Sequence, residues 1–309
     1  MQRYTFGPVP SRRLGRSLGV DLVPFKTCSY DCLYCQLGRT TNKTTERRAW
    51  VPTDAVLAEL DRLLPAIANA CDYVTLSGSG EPTLHSDAGR IIAHVKQHTD
   101  IPVAVLTNGS LLDRPELRDE LAGADLVVPS LDAGGAAMFR AVNRPAEEVA
   151  FETMLDGLVQ FADDFDGRLW LEVFLLAGYN ALPDEVRAIA DAAGRIAPAR
   201  VQLNTVCRPP AEEYARGVTR EALDELAGLF EPAAEVAAEF HGPSAEGAFA
   251  PGREDILNML RRRPCSLADI AAATGKHRNE VIKYIEQLQA DGEVASSRSG
   301  NVTYYAATQ

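Results

Sequence analysis

Six short apolar runs set the strongest limit on what this chain can fold into. They are SLGVDLV (17–23), YVTLSG (73–78), VAVLTNG (103–109), LVVPSLDA (126–133), LWLEVFLLAG (169–178) and VQLNTV (201–206). Each stops at or near Gly, Asn or Pro, residues that end strands. Amphipathic stretches separate them: Thr53 is placed to N-cap a helix with Val56, Leu57, Leu60, Leu63 and Leu64 on one face, and residues 184–193 and 221–230 repeat the style. Strand and helix in alternation predict an α/β protein with a parallel sheet. Six units are two short of a closed eight-unit barrel, so the reading is a partial (βα)6 barrel rather than a doubly wound sheet. Either architecture puts functional groups at the carboxyl ends of the strands.

The chain has 309 residues, enough for one large domain of roughly 200–250 residues and a small appendage. Composition changes near residue 240. Residues 241–253, HGPSAEGAFAPGR, are rich in small residues, Gly and Pro and read as a linker between a domain at 1–240 and a unit at 254–309. In that unit EDILNMLRRR reads as a helix, Ser266 caps LADIAAATG up to Gly275, a third helix follows, and Ser299-Gly300 turns a hairpin. Three helices and a wing resemble a winged helix-turn-helix domain. From Arg253 onward there are eight Lys or Arg against seven Asp or Glu, near neutral in a chain of net charge −12. DNA readers are usually more basic. DNA binding stays possible but is not favoured; partner docking or substrate presentation by a separable module is the expectation. The opening MQRYTFGPVP lacks the marks of a secretory signal, and no apolar run approaches the roughly 18–20 residues of a membrane helix. The expected address is cytoplasmic, with no membrane partner.

In a reducing compartment, clustered cysteines are metal ligands or catalytic thiols more often than disulfides. KTCSYDCLYCQLGRT places Cys28, Cys32 and Cys35 in the loop directly after the first run. Structural zinc would want a fourth Cys or His, whereas the remaining cysteines are Cys71, Cys207 and Cys265 and the first histidine is His85. Three thiolates on a four-iron cluster leave one iron open to a substrate or cofactor.

CSYDCLYC resembles the C-x3-C-x-aromatic-C signature of the radical S-adenosylmethionine superfamily, with Tyr34 in the aromatic slot. The resemblance implies a 4Fe-4S cluster on the three cysteines and S-adenosylmethionine chelated to the open iron. It also implies an electron donor such as flavodoxin or ferredoxin, reductive cleavage to methionine and a 5'-deoxyadenosyl radical, and a six-unit partial barrel. SGSGEPTLH resembles the superfamily's glycine-rich motif, in which counterparts of Gly78, Ser79, Gly80 and Glu81 hold the methionine amino group. At the next strand ends, Thr107 and Asn108, then Ser130 and Asp132, suit the cofactor's carboxylate and ribose, although Asn-Gly and Asp-Ala-Gly-Gly are also good turns. Blocks over roughly residues 1–210, including SLDA, NRP (143–145) and LNTVCRPP, are similar to the group containing the tRNA wyosine-forming synthases. The extra cysteines those synthases carry ahead of the signature are missing here, since none precedes Cys28.

Glu172 interrupts an apolar strand, so its carboxylate needs a partner or a ligand if it faces inward. Asn204 shares that position on the sixth run as a cofactor contact, and Arg208 is a candidate for an anionic substrate group. Arg3, Arg12, Arg13, Arg16, Lys26, Arg39, Lys43, Arg47 and Arg48 make the N-terminal segment basic, which leaves open an RNA or phosphorylated substrate; the substrate itself, an RNA, a peptide or a small molecule, is unidentified. Three classes result: a radical enzyme with Glu172 and Arg208 in catalysis, an iron-sulfur transcription regulator using the winged helix, and a zinc-binding scaffold.

Overall fold

The structure is a computed structural model that describes residues 3–11, 13–68, 70–237 and 252–308. The predicted linker therefore lies outside the described residues except for its last two positions. A hairpin opens the chain: β1 (Thr5–Ser11) pairs antiparallel with β2 (Gly15–Val20), with an irregularity between Phe6 and Val9. The cysteine loop follows and contains the two-residue strands β3 (Thr27–Cys28) and β4 (Asn42–Lys43). Next come α1 (Thr53–Ile67), β5 (Tyr73–Leu76), α2 (Ala88–His98), β6 (Val103–Thr107), α3 (Pro115–Leu121) and β7 (Leu126–Pro129). The remainder of this part is α4 (Ala136–Val142), α5 (Phe151–Asp164), β8 (Arg168–Leu175), α6 (Pro183–Ile196), β9 (Arg200–Thr205), α7 (Arg220–Ala227) and β10 (Glu235–Val236).

The main sheet has the order β1-β2-β5-β6-β7-β8-β9-β10 and is parallel except for the first pair. Its members β2 and β5 to β9 are the six predicted runs. Strand β8 shows how they are seated: Leu169, Leu171, Val173 and Leu175 are buried, and Trp170, Glu172 and Phe174 alternate with them. The first set joins Val74, Val103, Val105, Val127 and Leu203 in one apolar layer with Leu60, Ile91, Leu117, Leu158 and Ile189 of the helices. Burial of each such side chain contributes about 1.5–3 kcal/mol. The helices thus cover one face, where a doubly wound sheet carries helices on two. The other, inner face holds a smaller cluster of Leu14, Ala104, Leu126 and Val128. Helix α1 has Pro52 at its N-cap, which offers no side-chain acceptor, so Thr53 is its first helical residue rather than the expected cap and its hydroxyl donates to Asp87 at 2.6 Å.

The C-terminal unit comprises α8 (Arg253–Arg262), β11 (Cys265–Ser266), α9 (Leu267–Thr274), α10 (Arg278–Ala290), β12 (Val294–Ser299) and β13 (Val302–Ala307), with an antiparallel sheet ordered β11-β13-β12. Ser266 and Asp269 form the expected capping box, and Gly275 ends α9 at φ +66°. Ser299 pairs with Val302, so the hairpin turns on Gly300 and Asn301, one residue beyond the expected pair. This unit is docked rather than hung on a tether. Its core residues Ile256, Leu257, Leu260, Ile270, Val281, Ile285 and Leu288 form one cluster with Val9 and Phe6 of β1. Near that end Arg3 pairs with Asp255 at 2.8 Å and Asp21 with Arg262 at 3.1 Å. Beyond β9, Arg208 pairs with Asp269 at 3.4 Å and the Tyr304 hydroxyl donates to the Cys207 carbonyl at 2.7 Å. This packing bears on the expectation of a separable module, since β1 supplies part of the unit's apolar core.

Candidate active site

Cys28, Cys32 and Cys35 are half-buried, free thiols on one loop at the carboxyl end of β2. Each sulfur has a donor beside it. Tyr30 N and Asn108 Nδ2 lie 3.5 Å from the Cys28 sulfur, Asn143 Nδ2 is 3.5 Å from Cys32, and Lys26 Nζ is 3.4 Å from Cys35. Burial, then the Glu81 carboxylate, pushes the Cys28 thiol up to about 12; burial, then Asp132, holds Cys32 well above its usual range. Such thiols ionise only against a strong local cation, and donors aimed at sulfur are the usual surroundings of a thiolate cluster. This donor set fits an iron-sulfur centre bound by three ligands. The other cysteines are placed elsewhere: Cys71 accepts from Leu18 N at 3.2 Å before β5, Cys265 is in the C-terminal core, and Cys207 is exposed beyond β9.

The glycine-rich segment 77–81 leans on the cysteine loop through its backbone. Lys26 N donates to Ser79 O at 2.7 Å, and Glu81 N to Thr27 O at 3.1 Å. A Cβ at Gly80 would fall on the Thr27 carbonyl, next to a cysteine ligand position, and one at Gly78 (φ +147°) would lie 2.5 Å from Asp21 Cγ. Gly80 is therefore needed for the close contact between the two loops. Ser79 donates from N and Oγ to Asp21 at 2.9 and 2.5 Å.

The Glu81 carboxylate accepts from Thr83 N (3.1 Å), Thr83 Oγ1, Thr107 Oγ1 and Asn108 N (2.7 Å each). Burial raises its pKa and these donors oppose the rise. Glu81, expected to help hold the methionine amine, joins the ends of β5 and β6 through these bonds. Thr107 is likewise engaged, whereas Asn108 turns its amide toward the cysteine loop and reaches Ser29 Oγ at 2.8 Å. Ser130 lies in the ladder, bridged to Glu172, with its N–H on Thr107 O at 3.1 Å.

Asp132 links the same region to β8. It accepts the Tyr34 hydroxyl, Asn143 Nδ2 at 2.7 Å and Phe174 N at 2.8 Å, and Tyr34 stacks on Phe174 with centroids 3.9 Å apart. Burial moves the Asp132 carboxyl from its ordinary 3.8 to about 6. Asn143, Lys26 and Asp21 are site residues that sequence reasoning missed. In the sequence Asn143 is only the first residue of NRP and Lys26 only one positive charge among several; nothing local marks Asp21 as the partner of a loop 58 residues away.

Glu172 does face inward, as the alternation of β8 allows, but it is paired with Arg13 from the β1–β2 turn and accepts Asn204 Nδ2 at 2.9 Å. The Arg13 and Glu172 charges neutralise each other on the inner face. Arg208, expected to meet an anionic substrate group, has a largely buried guanidinium 3.4 Å from Asp269 of the C-terminal unit.

Comparison with known proteins places the chain in a family. The sequence profile of the Radical SAM superfamily matches residues 22–193. A GTPase Obg of Brachyspira hyodysenteriae is 40% identical over 98% of the chain, which spans only 45% of that protein. A UPF0026 protein of Helicobacter pylori is 30% identical over 98% of this chain and 97% of its own. A radical SAM methyltransferase structure from Sphaerobacter thermophilus superposes with TM-score 0.53 over 73% of this chain and 67% of that one, at 16% identity, a likeness of fold.

Proposed function

As the chain belongs to the radical SAM superfamily, we propose that Cys28, Cys32 and Cys35 each ligate one iron of a 4Fe-4S cluster and that the segment 77–81 beside them receives S-adenosylmethionine. The protein is a radical SAM enzyme, and its superfamily uses that cluster and that cofactor. The observation that carries the site assignment is the convergence of three half-buried thiols, each with a donor at its sulfur, on a loop whose backbone is bonded to a glycine-rich turn. When bound, the cluster supplies the electron for reductive cleavage of S-adenosylmethionine.

The chain's own residues prepare that site. Asn108, Asn143 and Lys26 direct N–H groups at the three sulfurs and lower the cost of their negative charge. Glu81 and Asp132 fix the ends of β5 to β8 around the loop. Gly78 and Gly80 bring backbone close to Asp21 and Thr27. We read the sheet as a partial (βα)6 barrel and the C-terminal unit as a winged helix docked on its first strand. A flavodoxin- or ferredoxin-type reductant is the proposed electron donor.

The test is anaerobic reconstitution with iron and sulfide. A 4Fe-4S absorption spectrum and dithionite-dependent 5'-deoxyadenosine are expected from the wild type, and neither from Cys32→Ala. A reconstituted wild-type protein that forms no 5'-deoxyadenosine would overturn the proposal. Mass spectrometry of small RNAs, peptides and metabolites from a deletion strain and its parent then identifies the substrate.

A further inference from the structure

A charged side chain of the C-terminal unit reaches the glycine-rich loop through one buried carboxylate. Arg262, the last residue of α8, is only 9% exposed and donates from Nε to Asp21 Oδ2 at 3.1 Å. Its other nitrogens are fixed by Asn258 O at 3.0 Å and Arg3 O at 3.1 Å, and its guanidinium lies 4.7 Å from the centre of the Phe6 ring. Asp21 is 7% exposed and turns the same carboxylate to Ser79 N and Oγ. Gly78 is required beside it, since any side chain there would strike Asp21. The chain of contact thus runs from α8 to Asp21 to Ser79, and Ser79 O in turn accepts Lys26 N from the cysteine loop.

We propose that Arg262 is a positioning residue for the cofactor site: by pairing with Asp21 it keeps the Ser79 loop in its binding conformation, so that S-adenosylmethionine affinity depends on docking of the C-terminal unit. This rests on the assignment of segment 77–81 to the cofactor. A buried carboxylate without a counter-charge is strongly disfavoured, and it regains water by moving away from its site or becomes neutral by taking up a proton. Burial does raise the Asp21 pKa, and Arg262 is the largest opposing influence. Either escape weakens the hold on Ser79. Asn at position 21 could still accept from Ser79 N while needing no cation.

That difference gives a double-mutant cycle on full-length protein. Arg262→Met is expected to retain its iron, to weaken S-adenosylmethionine binding by calorimetry at least tenfold, and to speed amide exchange in segment 77–81 of the cofactor-free protein. In an Asp21→Asn background, the same Arg262→Met change should alter affinity less than threefold. Arg262→Lys, which keeps the charge and loses the fork, should fall between. If Arg262→Met does not fold, the comparison of Asp21→Asn with Asp21→Asn/Arg262→Met still decides the matter, because a further tenfold loss there would show that Arg262 acts by another route. Unchanged affinity and unchanged exchange in a folded Arg262→Met protein would overturn the proposal. Wild-type protein that holds its cluster yet binds no S-adenosylmethionine would instead overturn the cofactor assignment, and exchange in segment 77–81 would still report on the contact.

Discussion

The cysteine loop and the C-terminal unit are both held to the sheet by polar contacts, but the first set joins neighbouring strand ends and the second joins two separate units. Around the cysteines, many bonds connect neighbouring strand ends: Glu81 to Thr107 and Asn108, Lys26 to Ser79, Asn108 to Ser29. The C-terminal unit is fixed by partners separated in sequence by 61 residues for Arg208 and Asp269, and by 241 for Arg262 and Asp21. Local order at the site follows from the βα repeat, which brings every strand's carboxyl end to one rim. Docking of the C-terminal unit follows from complementary charge and a shared apolar core, which no repeat imposes.

The comparison is broken most directly by removing a ligand. Cys28→Ala, Cys32→Ala or Cys35→Ala should each abolish iron binding, whereas Cys71→Ala, at a position bonded to β2 and outside the cysteine loop, should keep about three to four irons per chain in a ferrozine assay. Equal loss in Cys71→Ala would contradict the ligand set. Gly80→Val comes next. Its Cβ meets the Thr27 carbonyl, and overpacking of this kind costs about 1–3 kcal/mol. Iron content and cofactor affinity should therefore fall together, and loss of affinity with full iron would show that the two loops are independent.

Removal of the chain after residue 237 probes the other region. It uncovers Phe6 and Val9 and takes Arg262 away from Asp21. Breaking a buried pair costs about 3–5 kcal/mol, equivalent to roughly 6–20 °C in melting temperature for a domain of this size. A truncated protein that melts within about 2 °C of the full chain would make the unit an independent module after all. The last expected effect is a pH dependence. The Asp132 carboxyl is raised from 3.8 to about 6 in the fold, so its stabilising neutral form is complete below pH 3.8 and is lost as pH rises through about 6. In metal-free protein, wild type should lose on the order of 3 kcal/mol relative to Asp132→Asn across that window, measured by urea unfolding. A pH-independent difference would place the titration elsewhere.

Much of the site was legible because its residues announce their chemistry in short spacings. The three cysteines, the glycine-rich turn and the six runs all lie where the repeat puts them. Strand β1 was not legible, since Pro8 and Pro10 interrupt its pattern; prolines of this kind are tolerated on an edge with a register irregularity. Glu172 could be assigned a face by alternation but not a partner, as Arg13 arrives from a hairpin the pattern did not show. Arg208 looked like a free cation for the same reason: its partner Asp269 belongs to another unit. Asp21 seemed only the polar residue in an apolar run, and its meaning depends on three contacts made in space.

The binding of S-adenosylmethionine at the cysteine site is tested most directly by electron paramagnetic resonance of the dithionite-reduced, reconstituted wild type, with and without that cofactor. A cofactor bound at the cluster alters the iron's surroundings, so the signal should shift on addition of S-adenosylmethionine and not with methionine-free adenosine. A signal of full intensity that is identical with and without saturating S-adenosylmethionine would contradict the assignment of Cys28, Cys32, Cys35 and segment 77–81 to one site.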